Sequence, residues 1–329
     1  MNYKKYAIVD LHLHLDGSLS SKAIIEVAKK EGIKLPTYEP KELDKLLMVP
    51  ENCKSLNEYL ERFDLPNLVL QSKTGLEICT LDLLKRLAND GVKYVEIRMA
   101  PQLSTSGGLS QEEVVQILIQ TLKNAEKFHI FSNLILCMMR GADTKNNNLE
   151  TIKIAKKYLG KGVVAMDLAG AEGLFPNEMF DEEFKLIDEL KIPLTIHAGE
   201  AAGASSVKSA LKYGATRIGH GIHSIESEEV MKELKEKNIC LEVCPKSNLD
   251  TKTILKYDDL PLKEFMRYGI KVSINTDDMT VSNTTLKQEY ETLMKLGFNE
   301  KELQEFAYNS IEASFADKKL KSQLIDFIE

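Results

Sequence analysis

The chain has 329 residues, 43% of them apolar and 28% charged, a composition with ample material for a folded core and one that argues against long disordered segments. Fifty acidic against 43 basic residues give a net charge of -7 without any long block of like charge, so a nucleic-acid backbone is a poor partner. The five cysteines, Cys53, Cys79, Cys137, Cys240 and Cys244, are scattered without Cys-x-x-Cys spacing and read as reduced, mostly buried thiols.

The opening MNYKKYAIVDLHLH lacks the apolar stretch and cleavage site of a secretory signal, and no apolar run is long enough to span a bilayer. A cytoplasmic protein without a membrane partner is expected. Strand-like runs rich in Val and Ile are predicted at residues 7–14, 94–99, 134–139, 163–168, 194–197, 217–220, 240–243 and 272–276, most of them followed by a longer stretch of helical spacing. Eight such units without a Gly/Ser/Pro-rich linker suggest an α/β chain forming one (β/α)8 barrel domain over residues 1–329, with a doubly wound open sheet as the alternative. The gap between the first two strands, about residues 18–92, must hold extra helices and is the natural place for a lid. Within it Leu56, Tyr59, Leu60 and Phe63 recur at i, i+3, i+4 and i+7, one helix face that would by itself be core packing. The closing stretch 301–329 reads as amphipathic helix without chemistry.

In the first strand Asp10, His12, His14 and Asp16 alternate with Val9, Leu11, Leu13 and Leu15, so the polar set shares one face. Both faces of a barrel strand are covered, which turns that set inward, where imidazoles need partners. The fourth run, VVAMDLAG, ends with Asp167 and with Gly170, whose amide is free to approach a ligand closely. PLTIHAGE ends its apolar run at His197, with Glu200 three residues on, and TRIGHGIHS ends at His220. The last run, SINTDD, closes on Asp277 and Asp278, adjacent carboxylates that repel unless a cation or donors compensate them. Strand ends of a barrel gather at one mouth. There His12, His14, His197 and Asp277 make three imidazoles and a carboxylate with a position left open, a set that suits catalytic Zn²⁺, with iron and manganese as alternatives. Glu200 is placed to shuttle protons. His129 and His223 read as structural or surface residues.

HLHLDGS, VEIRMAP, MDLAGAE, TIHAGE, GHGIHS, EVCPKSN and SINTDD occur in this order and together resemble the adenosine deaminase family of the amidohydrolase superfamily, from the first strand to about residue 315. The resemblance implies one zinc on His12, His14, His197 and Asp277, and hydrolytic deamination of adenosine, with 2′-deoxyadenosine, to inosine and ammonia in purine salvage. It assigns Glu200 as proton donor to N1 of the purine and His220 as the residue that orients or helps deprotonate the attacking water. His14, Asp16, Gly170 and Asp278 are then the substrate-facing set, with Asp278 at N7, the Gly170 amide at N3 and Asp16 at the ribose. The apolar stripe matches a lid over the sugar, and the implied partner is a small purine nucleoside. An adenine deaminase, or one acting on N6-modified adenine nucleosides or nucleotides, is the nearest rival; Asp16 argues against the first, whose members tend to carry Glu there. A two-metal hydrolase lacks its bridging lysine in MDLAG, and a non-catalytic purine-binding barrel would not need Glu200. Met279, where many relatives have proline, and Lys246 depart from the family pattern.

Overall fold

The computed structural model describes residues 3–329. Eight strands follow one another as β1 Val9–His14, β2 Tyr94–Met99, β3 Phe131–Met139, β4 Val163–Ala169, β5 Thr195–Ala198, β6 Arg217–His220, β7 Cys240–Val243 and β8 Lys271–Ile274. All neighbours pair in parallel in sequence order, as a β1–β4 ladder and a β5–β8 ladder. Two short bridges, Leu13 with Asp277 and Met166 with Leu194, join the ladders on both sides and close the barrel. The open-sheet alternative is thereby excluded.

Strand positions match the expected runs, with shifts at their ends. β1 starts at Val9 because the Ile8 carbonyl already accepts from Lys93 and Tyr94 at a turn-like entry. β3 starts earlier, at Phe131, because it pairs along the whole of β2 although its first three residues are partly exposed and lack an apolar pattern. β8 stops at Ile274, short of the Asp pair, and Asp277 adopts a left-handed φ of 62°.

Five α-helices lie between β1 and β2, at Ser21–Glu31, Pro40–Leu47, Leu56–Leu60, Asp64–Val69 and Lys73–Asn89. Their starts are marked locally: Ser20, Ser55 and Ser72 each accept a backbone N–H from the first turn of the helix that follows. The predicted stripe spans the Leu56–Leu60 helix and the 3₁₀ turn Glu61–Phe63. It has its own small core, where Cys53, Leu56 and Tyr59 pack on Val281 from the loop after β8. The Val49 N–H donates to the Val281 carbonyl at 2.9 Å, tying the two segments together. No helix among the described residues is long and apolar enough to cross a membrane.

Glu289, on the helix Leu286–Lys295 and only 1% exposed, accepts from the Thr284 hydroxyl and from the Lys246 N–H. Burial pushes its pKa up to about 8. A carboxyl raised in the folded state above its unfolded value of ~4.3 stabilises the fold fully only below that value, and the contribution is lost as pH rises through the folded pKa. Denaturant midpoints of Glu289→Gln should therefore fall less than those of the parent chain between about pH 5 and 8; parallel curves would contradict this.

Candidate active site

The interior of the barrel is charged. Arg98 of β2, fully buried, donates to Asp167 of β4 at 2.6 Å, to Glu242 of β7, and to the Leu11 carbonyl at 3.2 Å. Arg217 of β6 pairs with Glu96 and Glu242, both at 2.6 Å. These carboxylates reach upward to the histidines: Glu242 lies 3.0 Å from His12 Nδ1, and Asp167 lies 2.9 Å from His197 Nδ1. Burial pushes Glu242 upward, but Arg98, Arg217 and His12 outweigh it and hold the group below the ordinary carboxylate range, and for Asp167 His197 and Arg98 outweigh burial in the same way. The hydrogen bond to Glu242 fixes His12 as the Nδ1–H tautomer, and the charge of Asp167 beside His197 Nδ1 favours the same tautomer there, which leaves the Nε2 atoms facing the mouth.

Those atoms converge. His12 Nε2 stands 3.0 Å from His197 Nε2, His14 Nε2 is 3.2 Å from the same atom, and Asp277 Oδ1 is 3.4 and 3.5 Å from His12 and His14. Two nitrogens that have both given away their protons cannot hydrogen-bond each other; a cation between them reconciles the contact. Ligands ~2.0–2.1 Å from a tetrahedral ion lie ~3.4 Å apart, close to the spacing seen. Burial lowers the pKa of His14 to about 3 and moves His197 down as well, so both are neutral donors. For His12 burial and Arg98 act downward, but Asp277 and Glu242 outweigh them and raise it, so its Nε2 would take up a proton in the absence of a cation and would be bare with one bound. These four residues form a group that could hold a metal ion.

Asp277 is placed by backbone: its N–H donates to the His12 carbonyl, and the His14 N–H donates back to the Asp277 carbonyl, both at 2.8 Å. It and His220, with φ of 62° and 61°, are two non-glycine residues in the left-handed region, strain characteristic of functional positions. Met279 just beyond donates its N–H to Ser18 Oγ at 3.0 Å, a bond that proline could not make. Lys246 pairs with Asp250 one turn on in the same short helix, Pro245–Asp250.

Glu200 is 4% exposed and 3.6 Å from His220 Nε2. Burial first, then Asp277 and Glu172, push its pKa well above the ordinary value, which leaves a neutral acid in the cavity. Its loop is pinned by Glu172, whose carboxylate accepts the N–H groups of Gly199, Glu200, Ala201 and Ala202 at 2.7–3.1 Å and the Ser206 hydroxyl at 2.5 Å. His220 is oriented by Asn248: the amide oxygen accepts from the Cys244 N–H at 3.3 Å, so its NH₂ donates to His220 Nδ1 at 3.0 Å. His220 therefore carries its proton on Nε2 and directs a donor into the site, toward Glu200 and Asp277.

A cavity of about 260 Å³ opens over this group, and His14, Asp16, Gly170, His197, Glu200, His220, Asp277 and Asp278 all line it, together with Leu56, Tyr59, Leu60 and Phe63. His12 lies beneath, fully buried. Gly170 has φ of 108°, a conformation that suits glycine. Burial raises Asp16 to about 6, and burial with Asp277 and Asp16 raises Asp278 well above the carboxylate range. Asp167 lies behind His197 rather than on the cavity. His129 is exposed in a left-handed turn, and His223 pairs with Glu226 at 2.8 Å, both away from the cavity. A larger cavity, about 610 Å³, lies at the opposite end among Lys191, Thr216, Lys271 and Phe315 and holds no histidine.

Arg98, Glu242, Glu172 and Asn248 were not singled out by sequence reasoning. The signal for the first two was present: Glu96, Arg98 and Glu242 are charged residues inside strands buried along their whole length.

A family model described as Adenosine deaminase matches residues 8–329. An Adenosine deaminase of Haemophilus ducreyi is 48% identical over 331 residues, covering 99% of this chain and 96% of that protein. Among solved structures, an adenine deaminase of Arthrobacter aurescens superimposes with a TM-score of 0.89 at 30% identity, covering 98% of this chain and 97% of that one. An Arabidopsis N6-mAMP deaminase does so with a TM-score of 0.86 at 26% identity, covering 100% and 99%. With its closed barrel and a histidine-aspartate cluster at the mouth, the chain belongs to the adenosine deaminase family of metal-dependent amidohydrolases.

Proposed function

We propose that the chain hydrolyses adenosine, and 2′-deoxyadenosine, to inosine and ammonia, with one zinc on His12, His14, His197 and Asp277. The observation that carries this reading is the convergence of three imidazole nitrogens and a carboxylate oxygen beside a neutral, buried Glu200 in one cavity. A donor set of nitrogen and oxygen without thiolate suits catalytic zinc. When bound, the metal supplies Lewis acidity that lowers the pKa of water to ~7.

The protein's residues supply the rest. Asp278, protonated, donates to N7, the Gly170 N–H meets N3, and Asp16 reaches the ribose. The Nε2–H of His220 orients the attacking water, and Glu200 gives its proton to N1 as C6 becomes tetrahedral. Of the attacking water's two protons one restores Glu200 and the other passes to N6, so that the C6–N6 bond breaks with neutral ammonia leaving and inosine keeps its C6 carbonyl and the N1 proton. Leu56, Leu60 and Phe63 exclude solvent over the sugar. A nucleoside rather than a nucleotide fits the lining, because Arg140 is its one arginine or lysine among the described residues and is already engaged. Its two terminal nitrogens donate to the carbonyls of Phe175 and His197 and to Asn177 Oδ1. Phosphate would call for free guanidinium or ammonium groups. The five cysteines are free and buried, in keeping with a reducing, cytoplasmic setting for residues 1–329 acting as one domain.

Metal analysis of the purified protein should find one zinc per chain, and adenosine should yield inosine and ammonia in equal amounts. Chelation should abolish turnover and zinc restore it. Full turnover by metal-free protein would contradict the reading.

A further inference from the structure

The helix that covers the cavity carries one polar group on its inner face. Tyr59 is 1% exposed, with its hydroxyl 3.0 Å from Asp278 Oδ2 and 2.8 Å from Ser282 Oγ. The phenol has one proton; given to Asp278, it leaves Ser282 as the donor to Tyr59. Ser282 is itself fixed to the same turn, its N–H donating to the Asp278 carbonyl at 2.9 Å.

On its other side Asp278 Oδ1 has no polar partner in the protein and lies so close to Gly17 that a Cβ there would fall on it. Among the described residues Tyr59 is the one side chain bonded to this carboxyl, which lines the cavity. Rotation of the Asp278 carboxyl is thus set from two sides, by the backbone after β1 and by a hydroxyl delivered from the lid. The remaining cavity-lining residues of the lid stripe, Leu56, Leu60 and Phe63, have no comparable group.

Resting on the reading of this cavity as a purine-nucleoside site, we propose that Tyr59 is a positioning residue for base recognition, acting through Asp278. The lid and the group that reads the imidazole edge of the purine form one unit. Discrimination for a nitrogen at ring position 7 then depends on a hydroxyl that touches no part of the purine.

The test compares Tyr59→Phe, which keeps the ring and its packing, with Leu60→Ala, which thins the lid without touching Asp278. Inhibition constants for purine riboside and for its 7-deaza analogue are measured on zinc-loaded protein, with zinc content checked in each variant. Tyr59→Phe should weaken purine riboside about 10-fold, the scale of a lost hydrogen bond to a polar anchor, and leave the 7-deaza analogue nearly unchanged. Leu60→Ala should weaken both alike. Ser282→Ala provides a second arm should Tyr59→Phe not fold, and should narrow the same preference by a smaller factor. Equal losses of both ligands in Tyr59→Phe or Ser282→Ala, with the parent's preference for the N7 ligand intact, would overturn the proposal alone. Failure of the parent protein to bind either nucleoside would overturn the functional reading and the proposal together.

Discussion

Glu200→Gln is expected to lower kcat on adenosine by about 10²–10⁴-fold, the range for losing a positioned general acid, while leaving zinc content and KM nearly unchanged. The side chain is buried beside His220 and lies outside the four-residue group that could hold the metal. Burial already holds it neutral, so an amide of the same shape replaces it at little cost to the fold. What the amide cannot do is surrender a proton to N1. Its loop is clamped independently, since Glu172 takes four successive backbone N–H groups from Gly199 to Ala202. A rate near that of the parent would remove Glu200 from the reaction. A parallel loss of zinc would instead make it part of the metal site.

Arg98→Met should destabilise the protein by about 3–5 kcal/mol, as expected when one partner of a buried ion pair is removed and the opposite charge remains. The consequence is doubled here, because Arg98 faces both Asp167 and Glu242 with no exposure to solvent on any of the three. Those carboxylates in turn stand 2.9 and 3.0 Å from Nδ1 of His197 and His12. Zinc affinity should therefore fall with stability, by about 10–100-fold, as for other changes behind a metal-bound histidine. Arg98→Lys should recover little, since a compact ammonium cannot bridge two carboxylates as the guanidinium fork does. Urea midpoints and metal titrations read the two effects separately; unchanged values in both would show that the interior ladder supports neither the fold nor the site.

Much of the architecture is legible in the sequence because barrel strands announce themselves twice, by an apolar run and by the polar residue that ends it. His197 and His220 close such runs, and the alternation from Val9 to Asp16 by itself puts His12 and His14 on one face. Their convergence follows from closure of the barrel. What stays hidden depends on partners far apart in sequence. Arg98 meets Asp167 across 69 positions and Glu242 across 144, and no local pattern says which buried acid faces which buried base. The Glu172 clamp is hidden for another reason: its donors are backbone N–H groups, which leave no trace in side-chain type. Tyr59 looks like one more member of an apolar stripe because its ring does pack there, and only its hydroxyl, reaching Asp278, sets it apart. The ends of β3 and β8 differ from expectation where partly exposed residues continue a ladder and where the backbone turns left-handed at Asp277.

The central claim, a metal-dependent site that deaminates the nucleoside, is tested most directly by measuring kcat/KM of the zinc-loaded protein for adenosine, adenine and N6-methyl-AMP side by side. Adenosine should be turned over at least ~100-fold more efficiently than either if, as proposed, Asp16 meets the ribose, because unmade polar contacts of this kind are worth factors of ~10² and more, and the described lining holds a single arginine, Arg140, whose terminal nitrogens are already bonded. Brisk turnover of adenine or of the nucleotide, with adenosine left intact, would contradict it.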